Sequence, residues 1–246
     1  MTIDTARRPT RSSTRATATW LLWMNLYLAA WFWGLAVIVA AGALVVINQV
    51  GEVNNSVLAF ARQGAVWFPF SVLIAITAAY LPVHVASGLT RRSLAAGSLL
   101  AAAATAVVYS VVYSGLLLAE RAVFGAFGWT WKVLDDLNLP TTDIPTLLVS
   151  TTLLLLVAYV SGLLVAITYQ RAGGWWGTLA LPLTAGPILL VFALLSQDAG
   201  PFSTSSWFGG TQPLAVAAPA SLLIAALMAF AFDRLVRGAS VHARTA

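Results

Sequence analysis

Asp135 and Asp136 stand side by side in GWTWKVLDD, and adjacent carboxylates can hold a divalent cation or act on a phosphate. His84 sits in LPVHVASG, two residues after Pro82, where an imidazole can move a proton near neutral pH. Arg91 and Arg92, in ASGLTRRSLAAG, can grip carboxylates, phosphates or backbone carbonyls. Each group also has a plainer reading. Two acids in a loop are commonly just solvated. A histidine beside a proline can bond to a carbonyl that the proline frees. Paired arginines between apolar runs can serve as topology anchors.

Other chemistries are excluded. The chain has no cysteine, so it has neither a disulfide framework nor thiolate metal sites. His84 and His242 are far apart and no H-E-x-x-H pair occurs, so no two-histidine metal site is evident. Lys132 is the sole lysine and lies outside any G-x-x-x-x-G-K-[ST] pattern, so the chain carries no phosphate-binding loop of its own. No residue is assigned a catalytic or metal-ligating role.

The elements that must position these groups follow from composition. The 246 residues are 60% hydrophobic and 9% charged, with a mean hydropathy of +0.87. A soluble domain is about one-quarter charged, so this chain cannot cover a water-facing surface. Its apolar runs approach the ~20 residues of helix that cross a hydrocarbon core, and they show no alternation of period two. The fold class expected is therefore an all-α integral membrane protein with six transmembrane helices. The spans fall within Trp20 to Ile47, then near Trp67 to Ala86, Leu94 to Leu118, Pro145 to Tyr169, Trp175 to Leu195 and Pro213 to Phe232. The first run is too long for one upright span. Its tryptophans, Trp20, Trp23, Trp31 and Trp33, suit the water interface, so an interfacial elbow is expected from Trp20 to about Ala30. One long tilted helix is the alternative.

Charge placement sets the orientation. With the N-terminus inside, Arg7, Arg8, Arg11, Arg15, Arg91, Arg92, Arg171, Arg234, Arg237 and Arg244 face the cytoplasm, against Arg62, Arg121 and Lys132 outside. That bias follows the positive-inside rule, so both termini are expected to be cytoplasmic. Six acids, Glu52, Glu120, Asp135, Asp136, Asp143 and Asp198, then fall outside. The net charge of +5 is thereby a topology signal and not a nucleic-acid footprint. The expected divisions are a disordered basic tail over 1–17, a membrane domain over 18–232 and a cytoplasmic tail over 233–246. Within the domain lie a cytoplasmic turn at 87–94 and outer loops at 48–66, 120–144 and 196–212.

By this division the spans hold no Asp, Glu, Lys or Arg, which disfavours ion-coupled transport and voltage sensing. They do hold small and hydroxylic residues at four-residue spacing. Ser93, Gly97, Ala101, Thr105, Tyr109 and Tyr113 share one face of span three. That face either packs within the chain or, from Thr105 through Tyr109 to Tyr113, lines a translocation path or a subunit seam. In span five LPLTAGP sets Pro182 and Pro187 around Gly186, which predicts a kinked or broken helix.

Four features come together over Trp20 to Phe232. They are the Trp-rich start, the P…ASGLTRRSLAAGSLL turn after span two, LLLAERAVFGAFGW after span three, and YQRAGGWWG between spans four and five. In these the chain resembles the membrane subunit of a type-two ABC exporter, in particular short permeases of high-GC Gram-positive bacteria. The resemblance implies that Ser87, Gly88, Leu89, Thr90, Arg91, Arg92 and Ser93 form the turn that docks on a separately encoded ATPase, in two copies. ATP and Mg would be bound by that partner and no cofactor by this chain. The chain would pair with a second permease copy or a close homologue in the lipid of a bacterial plasma membrane, and a path that is uncharged and rich in aromatic and hydroxyl groups suits export of an amphipathic or lipid-like compound. Two other classes remain. One is a non-transporting scaffold or regulatory subunit. The other is an intramembrane enzyme on lipid-linked substrates through Asp135, Asp136 and His84.

Overall fold

A computed structural model describes residues 13–88, 90–133, 143–195 and 213–238. The described elements are helical: α1 (Ser13–Val50), a 3-10 turn (Leu58–Phe60), α2 (Ala61–Ala86), α3 (Arg91–Ala126), α4 (Ile144–Leu179), α5 (Leu181–Thr184), α6 (Gly186–Leu195) and α7 (Leu214–Arg237). Five stretches are long and apolar enough to cross a membrane: α1, Leu58–Tyr80, α3, α4 and α7. The shorter apolar segment Leu181–Leu195 comes between α4 and α7.

The elbow expected over Trp20 to Ala30 is absent as a separate element, because α1 runs unbroken for 38 residues. At 1.5 Å per residue that is about 57 Å, well beyond a ~30 Å hydrocarbon core. The reason is local. No proline occurs between Ser13 and Val50, and of the tryptophans that suggested a break Trp20, Trp23 and Trp31 lie exposed on the helix surface while Trp33 is buried in the core. Trp20 stacks on Tyr80 of α2 with ring centroids 4.3 Å apart. The helix also begins inside the expected tail, at Ser13.

Proline does break the segment after α4. Pro187 has no N–H to continue a helix and its ring crowds the carbonyl of Leu183, so α5 ends at Thr184 and α6 begins at Gly186. Before that, α4 bends sharply at Gly173, whose φ of 76° and ψ of 179° suit only glycine. The chain then doubles back, and the Tyr169 hydroxyl lies 3.0 Å from the Thr178 hydroxyl.

The core is organised around α4, whose residues from Leu153 to Ile167 are nearly all buried. It contacts α2, α3, α5, α6 and α7, while α1 packs chiefly on α3. Close approach depends on glycine. A Cβ at Gly162 of α4 would lie 2.6 Å from the Phe70 carbonyl oxygen of α2, and one at Gly97 of α3 would lie 2.8 Å from Thr17 Cβ of α1. The outer surface is the reverse of a soluble protein's, with Trp23, Trp31, Ile38, Leu183 and Leu223 exposed.

Two ends result. At one, the Arg91 Nη1 donates to the Arg237 carbonyl at 3.4 Å, Arg171 Nη1 to the Leu235 carbonyl at 3.1 Å, and Gln170 Nε2 to the Ala78 carbonyl at 2.7 Å. This end gathers Arg15, Arg91, Arg92, Arg171, Arg234 and Arg237 against Asp233, which Arg237 pairs at 2.8 Å. The opposite end holds Glu52, Glu120 and Asp143 with Arg62, Arg121 and Lys132.

Candidate functional site

The turn at the basic end is built by its own backbone chemistry. Gly88 takes φ of 77°, the left-handed conformation that commonly ends a helix such as α2. Thr90 then caps α3, its side chain accepting the Ser93 N–H at 3.1 Å. The Ser93 hydroxyl donates to the Thr90 carbonyl at 2.6 Å, and the Ser87 hydroxyl donates to the His84 carbonyl at 2.8 Å. Leu89 lies outside the described residues.

His84 braces this turn from within. It sits in the last turn of α2 and is fully buried. Its Nε2 sits 3.3 Å from the Thr90 carbonyl oxygen and 3.2 Å from the Ser93 hydroxyl. A carbonyl only accepts, so Nε2 carries the proton and Nδ1 holds the lone pair. Nδ1 is buried with no hydrogen-bond partner. Burial accordingly pushes the ring below the ordinary imidazole range, against a smaller upward pull from the Thr90 carbonyl. The ring does bond a carbonyl, but it is that of Thr90 in the turn, whereas the Ala78 carbonyl, four residues before Pro82, accepts from Gln170.

The two arginines have different roles. Arg91 is half-buried and reaches the Arg237 carbonyl at the end of α7, where a cation meets the negative end of a helix dipole. Arg92 points to the surface. The turn thus presents the Arg92 guanidinium outward, with exposed Ser87, Gly88 and Thr90 beside it.

Thr105, Tyr109 and Tyr113 form a face, but that face is closed. All three are buried, with Tyr109 5.6 Å from the Trp33 ring and 5.9 Å from Tyr159, and Tyr113 donating to the Ala59 carbonyl at 3.2 Å. The face is met from within this chain by Trp33 of α1, Tyr159 of α4 and the Ala59 carbonyl of the 3-10 turn. Asp135 and Asp136 lie outside the described residues. Among the described residues no three of His, Cys, Asp and Glu gather as a metal site would require.

Sequence reasoning missed a second constellation, at the far end. Arg62 and Glu120, assigned above to outer loops, are both within or against helices and buried. The Glu120 carboxylate accepts from the Ser56 hydroxyl, the Val57 N–H at 2.9 Å, the Leu58 N–H at 3.0 Å and the Trp131 indole at 3.1 Å. The Ser56 hydroxyl in turn accepts the Ala59 N–H at 3.1 Å. Together they cap the helix that starts at Leu58, with the carboxylate supplied from 62 residues away. Arg62 lays its guanidinium over the Phe192 ring, 5.0 Å from the centroid. The signal was present in the ladder on α3, since Glu120 falls seven residues after Tyr113 on the same face.

Compared with family models, curated proteins and solved structures, the chain matches none.

Proposed function

We propose that this chain is the permease subunit of an ATP-binding-cassette exporter, driven by a separate ATPase that docks on the turn at 87–93. The observation that carries the reading is the construction of that turn. A surface that must transmit force has to be rigid, and here a buried imidazole, a helix cap and a left-handed glycine fix it around an outward Arg92. The bond from Arg91 to the end of α7 ties the turn to a second long helix.

In this reading α5 and α6 with the end of α4 make a broken sixth crossing, and both termini lie with the basic end in the cytoplasm of a bacterial cell. The energy comes from ATP and Mg on the partner, and two permease copies pair around the cargo route. The buried charges Arg62 and Glu120 do not supply an ion path of their own. Glu120 is committed to capping, and the two sit at one end of the bundle and not along it.

A second reading has its own support. The closed face of Thr105, Tyr109 and Tyr113 suits a non-transporting membrane scaffold or regulatory subunit as well as a resting permease. Co-purification decides between them. The tagged chain, expressed with its chromosomal neighbours and reconstituted in lipid, is expected to bring down a cassette ATPase whose hydrolysis responds to it. Arg92→Ala is expected to preserve insertion and abolish that response. Recovery of the chain with no ATPase overturns the permease reading in favour of the scaffold.

A further inference from the structure

At the basic end, α1 and α3 touch closely on one side and gape on the other. The close side is Gly97 against Thr17. The open side is a furrow of about 390 Å³, with Arg15, Ala18 and Leu22 of α1 facing Leu100, Ala101 and Ala104 of α3. The hollow exists because alanine methyls at 18, 101 and 104 do not fill the space that larger side chains would. It opens outward, since Arg15 and Leu100 are both exposed. From Arg15 to Leu22 the floor runs about two helical turns, or ~11 Å, along the helix axis.

The furrow belongs to the surface that a bilayer covers, because both helices carry exposed apolar residues beyond it, Trp23 and Tyr27 on α1 and Val107 and Val111 on α3. Its end nearest the basic face is marked by Arg15, and among the described residues that face carries arginines in excess of acids, Asp233 being the acid there. An apolar slot ending at a guanidinium, on a face of that charge, complements a phospholipid whose headgroup is acidic. We infer that the furrow binds one anionic glycerophospholipid, an acyl chain along Ala18, Ala101 and Ala104 and the phosphate against Arg15. The inference needs only that these helices lie in a bilayer and is independent of the permease reading.

The test is lipid retention. The full chain is purified, exchanged into detergent with equal amounts of phosphatidylglycerol and phosphatidylethanolamine, and examined by native mass spectrometry. One retained phosphatidylglycerol is expected in preference to phosphatidylethanolamine. Arg15→Glu is expected to lower that preference at least about fivefold, the effect of one basic residue at an anionic surface. Ala104→Leu, which fills the furrow and leaves the charge, is expected to lose the retained lipid. Arg92→Glu, at the same end but outside the furrow, is expected to leave the preference unchanged. The inference fails if the wild type shows no preference or if Arg15→Glu or Ala104→Leu keeps it. It fails equally if Arg92→Glu lowers it as much as Arg15→Glu, which marks diffuse attraction to the basic face.

Discussion

Glu120, near the end of α3, accepts the backbone N–H of Leu58 at 3.0 Å and so caps a helix that begins 62 residues earlier in the chain. One carboxylate thereby fixes the segment before α2 and, through Trp131, the segment after α3. Burial is tolerable because every lone-pair direction meets a donor.

Glu120→Ala removes the acceptor and leaves the N–H groups of Val57 and Leu58 unpaired. A loss of about 3 kcal/mol is expected, the range for hydrogen bonds to a charged group. The measurement is reversible unfolding in mixed micelles followed by tryptophan fluorescence. Glu120→Gln, which keeps one acceptor, is expected to lose less. Equal stability of Glu120→Ala and the wild type contradicts the capping role.

Acid is expected to loosen the turn at 87–93. The folded state holds His84 below its unfolded value of about 6.5. Stability from the neutral ring is therefore fully present above about pH 6.5 and is lost as pH falls through the folded value, because the unfolded chain takes up its proton first. Hydrogen exchange in residues 84–93, corrected for intrinsic rates, is expected to be faster at pH 5.5 than at pH 7.5. In His84→Gln that difference is expected to vanish. A wild-type turn equally protected at both values rules out this account.

Gly162→Ala places a methyl 2.6 Å from the Phe70 carbonyl oxygen, which is backbone and cannot swing aside. The helices α2 and α4 must separate, at an expected cost of about 2 kcal/mol. Gly34→Ala, where nothing lies within 4 Å, is the matched control and is expected to be neutral or slightly stabilising. If both substitutions behave alike, close packing is not what glycine serves at 162.

The two arginines of the turn should separate under mutation. Arg91→Ala loses a bond to the end of α7 and is expected to cost about 0.5 kcal/mol. Arg92→Ala is expected to leave stability unchanged, because its side chain is exposed. Thermal unfolding of the two variants side by side checks this, and a larger cost for Arg92→Ala refutes the assignment.

Helix type and approximate placement were legible because apolar runs of this length have few alternatives. The break near Pro187 was legible from a missing N–H, and the face carrying Tyr109 and Tyr113 from its four-residue spacing. What escaped was set by partners distant in the chain. Tryptophans at 20, 23 and 31 suggested an elbow, yet composition cannot report that α1 stays continuous against α3. Glu120 and Arg62 read as loop residues because hydropathy scores a charge without seeing the donors or the aromatic ring that will receive it. The four-residue spacing that includes Thr105 defined a face but did not name the helices that pack on it. His84 was narrowed to two roles by its neighbours, but its bond to Thr90 required the turn to be closed.

The central position of α4 bears on biogenesis. Until Leu147 to Ile167 emerge from the ribosome, α2 lacks its main partner and α3 is packed chiefly on α1 alone. The first half of this polypeptide is thus an unfinished object in the bilayer. A nascent chain halted before Asp143 should be a substrate for membrane quality control, and one halted after α6 still lacks α7, which packs on both α4 and α3.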